Sequence, residues 1–257
     1  MAEPLLYVFD FDGTLVNSMN AHSRLGTDVI VKYFGIPQSK ALEGYLATTG
    51  KPFGTQLQEI FPTVSEDLRA RCAAEYHSRK QKEVYENTGL FRDVKRTLEA
   101  LHQQGHHLFV ASSTEQNLVS RQLERLGIRE HFSDVFGPER GSKQTIVQRL
   151  LRTYPNSRIV FVGDAKTDVQ LSKFSPRIIT VGRAGKRISG LRRTPYLYAQ
   201  GAQVVLKDLT ALAKLNFDKV EENRQRNQRA IRRNKTKNPY PLRRVIPKPH
   251  AQSRYKL

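Results

Sequence analysis

The stretch Val8–Ser18 reads VFDFDGTLVNS. An apolar run from Leu5 ends in two aspartates, Asp10 and Asp12, one residue apart and followed by Gly13. Such a near-continuous apolar run predicts a strand covered on both faces of a parallel sheet. Ligands of open α/β sheets lie outside the carboxyl ends of the strands, so like charges at that spot point to a site. Asp12 before Gly13 is also a turn signature, and the rest of the chain has to separate the two readings.

Downstream of this strand the pattern turns helical. A helix runs from about Asn20 to Phe34 and stops at Gly35; QSKALEGYL, FGTQLQEIF and SEDLRARCAAEYHSRKQKEVYEN follow, the last opening on Ser65 as an N-cap with Glu66 and Asp67 in its first turn. After Gly89 helix and strand alternate. The spacing predicts a helix over 93–104, the strand HLFVASS, a helix over 115–126, the short strand SDVFG, the helix SKQTIVQRLLRTY and the strands RIVFVGD and RIITVG. AQVVL then reads as a strand and DLTALAKL as a helix, with the basic segment 182–200 between RIITVG and AQVVL read as a loop. This is a doubly wound, Rossmann-like parallel sheet with a helical insert after the first strand. The expected division is a core of 1–18 and 89–217, a helical cap of 19–88 and a basic tail of 218–257.

Charge separates that tail from the rest. Of the formal +19 carried by 257 residues, the 39 residues from Lys219 onward contribute +11. Apolar residues thin out there and NPYPLRRVIPKPH cannot hold a helix, so a solvated helix is expected to about Asn234 and disorder beyond. Such a run is a footprint for nucleic acid or another polyanion, against the plain alternative of a solvated extension. The single cysteine, Cys72, excludes an intramolecular disulfide and a multi-cysteine metal cluster. It sits in a helical pattern as a packed small residue. No apolar run reaches the length of a membrane span, and a cytoplasmic location is expected.

The strand ends collect chemistry: Asp10 and Asp12, then Ser112 and Ser113, then Asp164 with Asp168 four residues on. Carboxylates focused on one point need a cation, and a hard site that leaves positions to water and substrate oxygens suits Mg²⁺. Lys143, at the start of a helix, could point to the same edge and neutralise a phosphoryl group, with Ser112 binding its oxygens. Other readings stand beside these. Asp168 could cap a helix, Ser113 could be a turn residue, Lys143 could be solvated, and His106 and His107 read as solvated.

DFDGTLVNS, VASS, Lys143 in GSKQ and GDAKTD resemble, in order and spacing, the four motifs of the haloacid dehalogenase superfamily. The insert resembles the C1 cap of its phosphoglycolate-phosphatase-like and β-phosphoglucomutase-like members, and the likeness spans about residues 4–215. It implies Asp10 as nucleophile, Asp12 as general acid and base, Lys143 as charge holder and Ser112 as phosphoryl contact. It also implies Mg²⁺ on Asp10, the Asp12 carbonyl and Asp164, supported by Asp168. His22, where cap-hinge residues of the family meet substrate, and Lys51, in the cap loop, are substrate-contact candidates. The implied activity is hydrolysis of a small phosphorylated metabolite through an aspartyl-phosphate. A phosphomutase, a phosphonatase using Lys51, or a scaffold whose basic tail binds nucleic acid are the alternatives.

Overall fold

The computed structural model describes residues 4–184, 193–220 and 222. Residues 1–216 form one compact unit and 217–257 a second, of which 217–220 are helical. The nucleic-acid reading of the tail, its expected disorder and most of the basic segment at 185–192 fall outside the described residues.

Six parallel strands build the sheet: β1 (Leu6–Phe9), β2 (His107–Ala111), β3 (Asp134–Phe136), β4 (Ile159–Gly163), β5 (Ile178–Arg183) and β6 (Val204–Leu206), in the order β3-β2-β1-β4-β5-β6. The apolar run at 6–9 is central for a physical reason. Val8 pairs with Phe109 on one side and Phe161 on the other, and every residue of β1 is buried. Strand order reverses between β1 and β4, the switch point where a ligand crevice opens in such sheets. Helices α5 (Val94–Gln103), α6 (Gln116–Arg125) and α7 (Lys143–Thr153) connect the strands. Ile146 and Leu150 of α7 pack with Val8, Phe109 and Phe161 in the core, each such side chain contributing about 1.5–3 kcal/mol by leaving water.

Between β1 and α5 lie only helices: α1 (Met19–Phe34), α2 (Gln38–Thr48), α3 (Phe53–Ile60), α4 (Glu66–Lys80) and a π-helical turn, Gln81–Tyr85. Gly35 closes α1 at φ 61°, its N–H donating to the Val31 carbonyl, as a left-handed C-cap requires. The Ser65 hydroxyl accepts from the Leu68 N–H and caps α4. Cys72 is buried in α4, and burial pushes its thiol up to about 12, so it packs as an inert small residue.

Three expectations need correction. Part of the segment read as a loop is helix α9 (Arg193–Gln200), with Pro195 in its first turn, where a missing N–H costs nothing; the four-residue α8 (Lys166–Val169) precedes it. Leu209–Lys214 is a 3-10 helix, its Asp208 cap accepting from the Thr210 N–H. His106 is not simply solvated: its Nδ1 accepts from the Leu5 N–H at 3.2 Å and its ring lies 5.2 Å from that of Tyr7. Burial, then His107, lowers its pKa. Among the described residues no helix is long and apolar enough to cross a membrane.

Candidate active site

Asp10 follows the last residue of β1 and extends its ladder, its N–H donating to the Val162 carbonyl at 2.8 Å. Its side chain is thereby fixed at the carboxyl edge, where Asp164 follows β4. The chain then turns: Leu15 and Val16 donate back to the Phe11 carbonyl, and Gly13 takes φ 81°. Only glycine fits there, since a Cβ would stand 2.5 Å from Asp164 Oδ2 as well as in left-handed backbone.

Asp10, Asp164 and Asp168 each present a carboxylate oxygen within 4.8 Å of the others, and all three are buried. Lys143 lies among them, donating to Asp10 Oδ1 and Asp168 Oδ1 at 2.6 Å each. Asp168 spends its other oxygen on the Ala165 N–H. One ammonium among three carboxylates leaves excess negative charge out of water. Burial pushes the Asp10 carboxyl well up; Lys143 opposes this, while Asp168 and Asp164 add to it. Burial would lower the Lys143 ammonium, yet Asp10 and Asp168 override it and hold it high, so it stays charged. A hard divalent cation fits this all-oxygen donor set and the uncompensated charge.

Asp12 is treated differently. Four side chains serve its carboxylate: Ser18 Oγ donates at 2.6 Å, Thr114 Oγ1 and the Tyr85 hydroxyl at 2.9 Å each, and His22 Nε2 stands at 2.9 Å. Since a carboxylate only accepts, Nε2 is assigned the ring proton and Nδ1 the bond from the Tyr76 hydroxyl at 2.6 Å. Burial alone would raise the Asp12 carboxyl; His22 first, then Ser18 and Lys80, hold it far below the usual carboxylate range.

The motif residues therefore converge, with differences. Ser112 is buried, its Oγ accepting from the Thr114 N–H. Ser113 donates to the Gly50 carbonyl at 3.0 Å, so it ties the sheet edge to the loop above. His22 is buried against Asp12. Lys51 lines the cavity, but its Nζ is held by Glu59 at 2.6 Å.

Over these groups the helices of 19–85 form a roof above a partly open cavity of about 60 Å³. Tyr45, Phe53 and Tyr76 line it with Lys80, whose Nζ donates to Glu115 Oε2 at 2.6 Å while His77 Nδ1 stands 2.5 Å from Oε1. Sequence reasoning missed Tyr76, Lys80, Tyr85, Thr114 and Glu115. Thr114 and Glu115 adjoin VASS and could have been found there; the others carry no local signal.

A doubly wound α/β protein with a carboxylate–lysine floor at its switch point and a helical roof is a recognisable class. The sequence profile of the haloacid dehalogenase-like hydrolases matches residues 7–175, and the chain belongs to that family. A phosphoglycolate phosphatase of Vibrio parahaemolyticus is 28% identical over 181 residues, covering 65% of this chain and 78% of the relative. Among solved structures, a predicted phosphatase from Clostridium acetobutylicum superposes with a TM-score of 0.67 at 20% identity, covering 83% of this chain and 98% of that one. A predicted phosphoglycolate phosphatase from Haemophilus somnus gives 0.65 at 20% identity, with coverage of 83% and 98%.

Proposed function

We propose that the protein is a Mg²⁺-dependent phosphatase that hydrolyses a small phosphomonoester through an aspartyl-phosphate on Asp10, with residues 19–88 acting as a cap. The observation that carries this reading is the chain Asp10–Lys143–Asp168, with Asp164 beside it, set on the floor of a cavity that the helices roof. The Vibrio relative's name points the same way.

Asp10 Oδ2, whose hydrogen bond among the described residues is from the Thr14 hydroxyl at 3.2 Å, is the oxygen for attack, while Lys143 fixes Oδ1. Attack forms an Asp10–phosphorus bond and breaks the ester bond from phosphorus to the leaving oxygen, which takes a proton from Asp12; the phosphoryl charge of the substrate beside Asp12 opposes the donors that hold its carboxyl low and lets it carry that proton. In the second half Asp12 takes a proton from water as the water attacks phosphorus, releasing phosphate and restoring Asp10. Ser112 and Lys143 bind the phosphoryl oxygens throughout. Mg²⁺ would be held by Asp10, Asp164 and the Asp12 carbonyl, with Asp168 supporting, and would neutralise phosphoryl charge.

A screen of phosphorylated metabolites, read as phosphate release, tests this. Release from a small phosphomonoester with Mg²⁺, lost on adding chelator and regained with excess Mg²⁺, is expected. Turnover undiminished by chelator would overturn the metal assignment, and phosphate moved to a second hydroxyl of the substrate would make the protein a phosphomutase.

A further inference from the structure

The π turn is gripped from the core. It begins at Gln81 and ends at Tyr85, and two side chains of α6 hold both ends. Arg125 Nη2 donates to the Tyr85 and Thr88 carbonyls at 3.0 Å each, and Arg125 Nε donates to Gln122 Oε1 at 2.8 Å. Gln122 is buried, and its Nε2 donates to Gln81 Oε1 at 3.2 Å. A guanidinium only donates, so Arg125 fixes which end of the Gln122 amide faces Gln81.

This grip lies where a helix end needs one. The last carbonyls of a helix lack N–H partners in a following turn, and an arginine beside them can supply donors. The turn itself closes through the Glu86 N–H on the Gln81 carbonyl at 3.2 Å, an i→i+5 bond of a kind that is rare and recurs at functional sites. Beyond it the Tyr85 hydroxyl lies 2.9 Å from Asp12 Oδ2 and 3.2 Å from Thr114 Oγ1. Arg125 is exposed and, among the described residues, bonds none of the floor carboxylates. What it does for Asp12 therefore passes through Tyr85.

Resting on the phosphatase reading, we infer that Arg125 is a positioning residue of the reaction: by holding the Tyr85 and Thr88 carbonyls, and Gln81 through Gln122, it fixes the π turn that aims the Tyr85 hydroxyl at Asp12. Without the guanidinium the Tyr85 carbonyl keeps the Thr88 N–H at 3.4 Å, a long bond within the same segment, and the turn loses its tie to α6. Hydrogen bonds weaken steeply as they bend, so a small rotation of the turn spoils the contact with Asp12. Asp12 then retains Ser18, His22 and Thr114, and activity falls without vanishing.

A double-mutant cycle tests this, using the full chain with Mg²⁺ and two probes, phenyl phosphate and the phosphomonoester of highest turnover in the metabolite screen. Arg125→Met keeps the aliphatic stem and should lower kcat by about 3- to 10-fold, up to the loss of one hydrogen bond to a charged group, with KM little changed. Arg125→Lys should restore part of it. In a Tyr85→Phe background the same Arg125→Met change should cost less than about 2-fold, because the bond it protects is already gone. Thermal unfolding checks the variants, and Arg125→Gln gives the same cycle if the Met variant is unstable. Equal losses with and without the Tyr85 hydroxyl, or a kcat unchanged by Arg125→Met, overturn this inference alone and leave the phosphatase reading standing. Absence of turnover on any phosphomonoester overturns both.

Discussion

Asp12 is held by more donors than a turn aspartate needs. Ser18, His22, Tyr85 and Thr114 converge on one carboxylate, and they come from the β1 loop, α1, the π turn and the end of β2. Under the proposed mechanism such convergence would keep an acid and base in one position through two half-reactions. Tyr85 is fully buried and burial raises its pKa far above the ordinary value, so it remains a neutral donor. Tyr85→Phe removes one charge-assisted bond and leaves the ring packing. A fall of about 10-fold or more in kcat is expected, with KM little changed; an unaltered kcat would leave Tyr85 a packing residue. At this scale the sequence showed a good deal. Asp10, Asp12, Asp164, Asp168 and Lys143 were readable because strand ends and short motifs fix them locally. Lys51 was readable as a cavity residue, though not its pairing with Glu59, which depends on the folding back of α3.

The elements explain what stayed hidden. Tyr76 and Tyr85 are nine residues apart, and in an unbroken α-helix, at about 100° per residue, they would face opposite sides. The π turn at Gln81–Tyr85 takes up part of that rotation, so the Tyr76 hydroxyl reaches His22 and the Tyr85 hydroxyl reaches Asp12. Nothing in SRKQKEVYEN announces such a turn, and π turns recur at functional sites. The helix at 193–200 was missed for a different reason: basic and glycine-rich flanks masked a short helix that packs Leu197 with Val169 and Ala202. Between roof and sheet, Glu115 joins Lys80 and His77 of α4. Burial would raise its carboxyl, but His77 and then Lys80 bring it from 4.5 down to about 2. A carboxyl lowered in the fold contributes stability above its unfolded value and loses it as pH falls toward the folded one. The melting-temperature gap between wild type and Glu115→Gln should therefore be full at neutral pH and narrow as pH drops from about 4.5 to 2. A gap independent of pH would mean that Glu115 acts through packing alone.

For the whole molecule, the strand order puts Asp10 and Asp164 on neighbouring strands at the switch point, and the insertion after β1 hangs a helical roof over both. Every residue of the proposed mechanism lies within the unit of residues 1–216. The alternation of helix and strand made this architecture legible, because buried parallel strands and capped helices leave strong local patterns. The charge distribution in the cavity was not legible, since it arises from residues brought together across the fold. The central claim is that Asp10 is the attacking group, and kinetics of Asp10→Asn with Mg²⁺ test it most directly. The amide is nearly isosteric, still accepts from Lys143 and relieves a crowded acidic cluster, so the fold should persist by circular dichroism and thermal unfolding. Phosphate release should fall by at least about 10³-fold. An Asp10→Asn protein that turns over substrate at a rate near the wild-type one would contradict the account.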